Sequence, residues 1–209
     1  MRYARKFMVW LADAAGAKQV EGHTAIEALA RQLAAGAIAA VKGLGGFHLA
    51  CDATNPIAVG ELRRRKHRPH KALAVMVPDL DTARRIGHVP PEAEALLTGS
   101  RRPITLLAAR PDRLAPGIAP DTDEIGVMLP YTPLHHILLD AFTTALPPGH
   151  LPALVMNGDN ATGPTEREPS CPVGPVERLP SSVARAFCLV CSGLASGHID
   201  EARKTLYWI

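Results

Sequence analysis

The sequence is poor in aromatic residues, which fill only 4% of its 209 positions, and it has just four cysteines, Cys51, Cys171, Cys188 and Cys191. Four thiols in a chain of this length do not make a disulfide framework, so a stapled secreted scaffold is excluded and reduced thiols are expected. No apolar run approaches the roughly 18 residues that a membrane-spanning helix needs. The first ten residues, Met1 to Trp10, also lack the long apolar stretch of a secretory signal. Nor does one sign of charge dominate, since 23 Lys and Arg face 20 Asp and Glu. With 47% hydrophobic and 21% charged residues the chain is too apolar and too evenly charged for intrinsic disorder, and it is long enough for one sizeable core. The expectation is a soluble, cytoplasmic, globular protein with no membrane partner.

What basic charge there is lies in one place. Between Arg63 and Lys71 six of nine residues are Lys or Arg, with His67 and His70 among them. These six carry +6 of a formal net charge of +3, which leaves the rest of the chain near −3. A protein that coats nucleic acid spreads such charge over a whole face, whereas one dense cluster beside a glycine-rich turn fits a compact polyanion such as a nucleoside triphosphate. A solvated helix end is the plainer alternative, and the run alone does not decide between them.

The periodicities imply strands alternating with helices. Thr24-Ala-Ile-Glu27 reads as a capping box in front of a helix through Leu33, with Gly36 as its stop. The apolar run Ala37 to Val41 reads as a buried strand that ends in Lys42-Gly-Leu-Gly-Gly46. Asn55-Pro56 opens a helix that ends in the basic cluster. A strand over 72–77, helices from Asp79 to Ile86 and from Pro90 or Pro91 to Leu97, and a strand over 103–107 follow. The last elements are a strand over 125–129, a helix from Thr132-Pro133 to Phe142 and a strand over 152–156. This pattern predicts an α/β layered fold with a mostly buried sheet and no internal repeat. Beyond Asn157 the pattern weakens, and helical periodicity returns only in short stretches near 182–191 and 199–207.

Three groups of residues invite chemistry. Three glycines in four positions after a strand, Gly43, Gly45 and Gly46, let the backbone approach a ligand and expose its amides to a phosphate or carboxylate. The spacing matches neither a Walker A loop nor the dinucleotide fingerprint, and a tight turn between packed elements explains it equally. Lys42 at the strand end can neutralise a phosphate or be solvated. His48, Cys51 and Asp52 suggest a nucleophile or a metal, but Cys51 lies in an apolar setting, and no second cluster with zinc spacing is near. Cys188-Leu-Val-Cys191 has the gap of a zinc knuckle, which Cys171 and His198 would complete. A zinc site needs a second close pair, so buried or idle thiols and no metal are expected. His135-His136 at a helix start place one ring inward and one outward, and the inner one reads as a satisfied structural histidine.

Taken together, several segments resemble the YrdC-like domain of the HypF-type carbamoyltransferases that mature NiFe hydrogenases. They are Val41 to Ala53, Leu62 to Lys71 with Ala74 to Val77, Arg102-Pro-Ile104, Leu114 to Gly117 and Gly126 to His135, in family order over roughly residues 8 to 160. The resemblance implies an α/β (in some schemes α+β) fold, a YrdC/RibB-like twisted mixed β-sheet with helices packed on its faces. It also implies a nucleotide-binding domain over 1–163, followed by a divergent or truncated segment of the same domain over 164–209.

The reaction that this resemblance implies is adenylation. Carbamate, released from carbamoyl phosphate by an acylphosphatase domain, attacks the ATP α-phosphate to give carbamoyl adenylate and pyrophosphate. A Kae1-like transferase domain then passes the carbamoyl group to a HypE-type maturation protein, where it becomes cyanide. Such an attack needs the triphosphate charge neutralised and the leaving group stabilised, which positioned Lys and Arg and usually Mg²⁺ can supply.

By the same resemblance Lys66 and Arg68 are the Lys-x-Arg pair on the triphosphate. Lys42, Gly43, Gly45, Gly46, His48, Lys71, Pro130, Thr132, Asn160 and Thr162 are implied to line the nucleotide and substrate pocket. The chain departs from the family where relatives read Thr-Ser-Gly-Asn-x-Ser-Gly, because here the segment is Asn157-Gly-Asp-Asn160-Ala-Thr-Gly163. The family's acylphosphatase, zinc-finger and transferase segments are absent from the sequence, so an isolated or truncated domain, or a degenerate paralogue, is expected. A threonylcarbamoyl adenylate synthase acting in tRNA modification, or a double-stranded RNA-binding module using 63–71 as phosphate contacts, are the competing readings.

Overall fold

The computed structural model describes residues 8–13, 17–42, 47–158 and 186–192. Its spine is an antiparallel hairpin of β3 (Ile38–Lys42) and β4 (Phe47–Asp52), in which Lys42 stands opposite Phe47. All five residues of β3 are buried, as in a strand covered on both faces. The other strands are β1 (Met8–Ala12), β2 (Lys18–Glu21), β5 (Val75–Met76), β6 (Thr105–Ala108), β7 (Glu124–Met128), β8 (Leu154–Gly158) and β9 (Ala186–Ser192). They form one mixed sheet in the order β2-β1-β9-β3-β4-β8-β5-β7-β6. Only β3 with β9 and β5 with β7 run parallel.

Alternation along the strands sorts the core onto two faces. Ile38, Ala40, Leu49, Cys51, Val75 and Val155 share one cluster with residues of α2 (Pro56–Arg65), α3 (Leu80–Ile86) and α4 (Pro91–Thr98). Ala39, Val41, Ala50, Met76, Leu154 and Met156 pack on the other face under α1 (His23–Ala34) and α5 (Pro133–Ala145). Leu29, Leu33, Leu62, Leu138 and Phe142 are completely buried, and each contributes about 1.5–3 kcal/mol through the water it leaves. Two helical layers on one sheet is the α/β arrangement expected from the strand and helix pattern.

Several elements differ from the sequence expectation. α1 starts two residues earlier than the capping box implies: its N-cap is Gly22, at φ 64°, and no side chain caps it. The glycine's left-handed turn puts Thr24 already inside the helix, where Glu27 pairs with His23 at 3.1 Å instead. Gly36, at φ 88°, follows the last turn as expected. The strand over 72–77 shrinks to Val75–Met76, because the Leu73 amide donates to Ile118, in the 3-10 turn Pro116–Ile118, rather than to a neighbouring strand. In the stretch near 182–191 the described residues are not helical, since Ala186–Ser192 is β9, inserted between β1 and β3. An apolar run of that length fits either conformation, and sheet pairing decided it. The 199–207 stretch lies outside the described residues. Among those described, no helix is long and apolar enough to cross a membrane.

Candidate functional site

The basic cluster is sorted by the way α2 begins and ends. Asn55 caps it, its Oδ1 accepting from the amides of Ile57 and Ala58, with Pro56 at the first helical position. At the other end the Arg68 amide donates to the Arg63 carbonyl and the His67 amide to Arg64. This is the double closure that normally places glycine at the left-handed position. Here that residue is His67, at φ 47°. The turn carries Lys66 and Arg68 on either side of it.

The cations of the cluster then divide. Arg63 is buried, and its guanidinium donates to five carbonyls, those of Gly117, Arg68, Pro69, Lys71 and Ile118. It is therefore a clamp on the loop that follows, not a free cation. Arg64 and Arg65 both donate to Glu61. Hydrogen bonds from Arg64, with Arg65 assisting, hold the Glu61 carboxyl down to about 2. Lys71 is exposed. Only Lys66 and Arg68 reach across to the sheet. Lys66 Nζ donates to the Gly158 carbonyl at 2.6 Å. With its amide oxygen turned to the cations, Asn157 accepts from Lys66 Nζ at 2.9 Å and from Arg68 Nη1 at 3.2 Å. Arg68 Nη2 donates to Ala72, while its buried Nε has no partner among the described residues.

Asn157 and Gly158 close β8, and in register they face Leu49 and His48 of β4. His48 directly follows Phe47, the first residue after the glycine-rich turn. The Lys-x-Arg pair therefore meets the sheet at the end where β3 finishes and β4 begins. Gly43, Gly45, Gly46, Asn160 and Thr162 are outside the described residues. Lys42 is buried, its Nζ 4.7 Å from the centre of the Phe47 ring.

On the opposite face of the hairpin His48 belongs to a ring cluster. Its Nε2 is 2.8 Å from the Tyr131 hydroxyl, and both rings pack edge-on against His135. Burial, then the Lys66 charge, pushes the His48 pKa below its usual value. Burial, followed by His48 and His136, takes His135 down to about 4. Both imidazoles are therefore neutral near pH 7. The one-in, one-out placement of His135 and His136 holds. His135 is not satisfied, however, because neither ring nitrogen has a hydrogen-bond partner among the described residues.

The remaining expected site residues are placed less directly. Thr132 is buried and caps α5, its hydroxyl accepting from the His135 amide. Pro130 lines a different hollow, an open groove of about 660 Å³ with Asp79, Thr82, Arg85, His136 and Asp140 in its wall. None of Lys42, His48, Lys66 and Arg68 lines that groove. The nucleophile reading of Cys51 fails: burial, then the Asp52 charge, raises its thiol pKa far above neutrality, so no thiolate forms. Among the described residues no three His, Cys, Asp or Glu groups come together to hold a metal. Cys188 lies on β9, while Cys171 and His198 fall outside the described residues. Arg63, Tyr131, His135 and Asn157 were missed as site residues. Tyr131 and His135 bracket the Thr132-Pro133 helix start, the one local signal that marks them.

Fold and site define an α/β domain whose sheet end gathers two cations on an asparagine and a backbone carbonyl, an arrangement suited to a phosphorylated ligand. The Sua5/YciO/YrdC family, described as telomere recombination, matches residues 31–160, and the chain belongs to that family. It is 51% identical over 158 residues to a carbamoyltransferase HypF of Rhodobacter capsulatus, an alignment covering 74% of this chain and 19% of that protein. The crystal structure of T. kodakarensis HypF superimposes with a TM-score of 0.66 at 37% identity, covering 74% of this chain and 19% of that one. Full-length HypF in a phosphate- and nucleotide-bound form gives a TM-score of 0.61 at 39% identity, over 71% and 18% respectively. The chain thus spans less than a fifth of the length of these relatives.

Proposed function

We propose that this chain is an adenylating domain that binds ATP and carbamate and forms carbamoyl adenylate, for the cyanide ligands of NiFe hydrogenase. The observation that carries the reading is the meeting of Lys66 and Arg68 at Asn157 and Gly158, beside the strand that leaves the glycine-rich turn. Two cations at one sheet end offset the charge of a triphosphate and of departing pyrophosphate without a covalent nucleophile, which agrees with the inert Cys51. Mg²⁺ arrives with ATP as part of the substrate. Carbamate supply from carbamoyl phosphate and transfer of the product fall to the acylphosphatase and transferase parts of a longer protein, and the final acceptor is a HypE-type maturation protein. The likeness to HypF proteins supports carbamate over threonine as the acyl precursor.

Radiolabelled pyrophosphate exchange into ATP tests this reading. Exchange is expected with carbamoyl phosphate when an acylphosphatase is supplied. Exchange that requires threonine and bicarbonate would instead make the chain a threonylcarbamoyl adenylate synthase. RNA binding that collapses with salt, without any exchange, would point to a nucleic-acid module.

A further inference from the structure

Among the described residues only four buried side-chain nitrogens or oxygens lack a hydrogen-bond partner: His48 Nδ1, His135 Nδ1, His135 Nε2 and Arg68 Nε. Leaving a buried polar atom unpaired costs about 1–3 kcal/mol, so such atoms are rare and need a reason. Three of these four belong to one ring cluster. His135 is fully buried, with the Tyr131 ring centre 4.5 Å away and the His48 ring 6.0 Å away, both edge-on. Among the described residues the only hydrogen bond made by these rings is between His48 Nε2 and the Tyr131 hydroxyl.

That pair is complementary to a small amide in either tautomer. If the tyrosine donates, its oxygen keeps free lone pairs and His48 Nδ1 carries a proton. If the histidine donates, Nδ1 is an acceptor and the tyrosine proton is free. His135, also neutral, adds one donor and one acceptor behind them. The cluster stands directly across β4 and β8 from the cations, since His48 is in register with Gly158, whose carbonyl holds Lys66. A Cβ built on Gly158 meets nothing within 4 Å. Among the described residues, space is therefore open at the residue that faces His48.

We infer that the His48, Tyr131 and His135 rings form the receptor for the uncharged, amide end of the acyl substrate, with the Tyr131 hydroxyl making the contact. His48 orients that hydroxyl, and His135 is a positioning residue behind both rings. A carbamate fits this receptor because its NH₂ and its oxygens meet neutral donors and acceptors there, while its attacking oxygen points to the cationic side. The inference rests on the adenylation reading and names the residues that select its substrate.

The test uses the full chain and ammonium bicarbonate, in which carbamate forms at equilibrium. In pyrophosphate exchange, Tyr131→Phe and His135→Leu are expected to raise the half-saturating carbamate concentration by about tenfold, the worth of one lost hydrogen bond. ATP affinity, measured separately by calorimetry, stays within twofold, and His135→Gln restores part of the loss. Nitrogen-15 spectra of the imidazoles read the same contact without turnover: His48 and His135 resonances shift as ammonium bicarbonate is added, and the shift is lost in Tyr131→Phe. Unchanged half-saturation in both variants, or ring resonances indifferent to the additive, would overturn the receptor. Shifting resonances with no exchange in the unsubstituted chain would uphold the receptor and sink the adenylation reading.

Discussion

Arg63 shows how residue type and position divide labour within one basic run. Its neighbours in sequence carry the same charge, yet five carbonyls consume its guanidinium, while Arg64 lies on the surface beside Glu61. Arg63→Ala strands several buried carbonyls at once and is expected to lower unfolding stability by at least about 3 kcal/mol. Arg63→Lys cannot reproduce the planar fork and rescues only part of the loss, whereas Arg64→Ala leaves the denaturant midpoint nearly unchanged. Urea titrations of the three variants check this.

His135 gives a second residue-scale expectation. Its folded pKa of about 4 lies below the unfolded value of 6.5, so between these values the unfolded chain binds the extra proton. Stability from the neutral, buried ring is complete above about pH 6.5 and is lost as pH falls toward 4. The whole shift is worth on the order of 3 kcal/mol. His135→Gln is expected to flatten the fall in thermal midpoint between pH 6.5 and 4.5, and an equally steep fall would contradict the assignment. The basic run and His48 were legible in the sequence, because charge density and the family-like segments mark them. The fate of each arginine was not, since it depends on which carbonyls a distant loop at Gly117 and Ile118 presents.

Among the elements, α2 is the one that aims the site. Its start was readable from Asn55-Pro56 alone, since cap chemistry is local. Its end was not, because a histidine stands where the closing turn favours glycine. His67→Gly is expected to raise stability by roughly 0.5–1 kcal/mol by relieving the left-handed strain, without changing the hydrogen bonds of Lys66 and Arg68. A drop in the chemical-denaturation midpoint would show that the His67 side chain itself supports the turn. The elements misread from sequence share a cause. β9 and the short β5 owe their conformation to partners far along the chain, and local periodicity carries no information about those partners. The helices over α3, α4 and α5 were correctly placed because Asp79, Pro91 and Thr132-Pro133 mark their first turns.

At the scale of the molecule, the sheet order brings α2, from early in the chain, to the end of β8, some ninety residues later, and sets both beside the hairpin of β3 and β4. One face of that end carries cations and the other carries neutral rings. Whether Lys66 and Arg68 hold the triphosphate is read from calorimetric titration of the chain with Mg²⁺ and ATP. Saturable one-to-one binding is expected, weakened by about tenfold or more in Lys66→Ala and in Arg68→Ala, as loss of a charge-assisted contact implies. Equal affinity in the unsubstituted chain and both variants would contradict it.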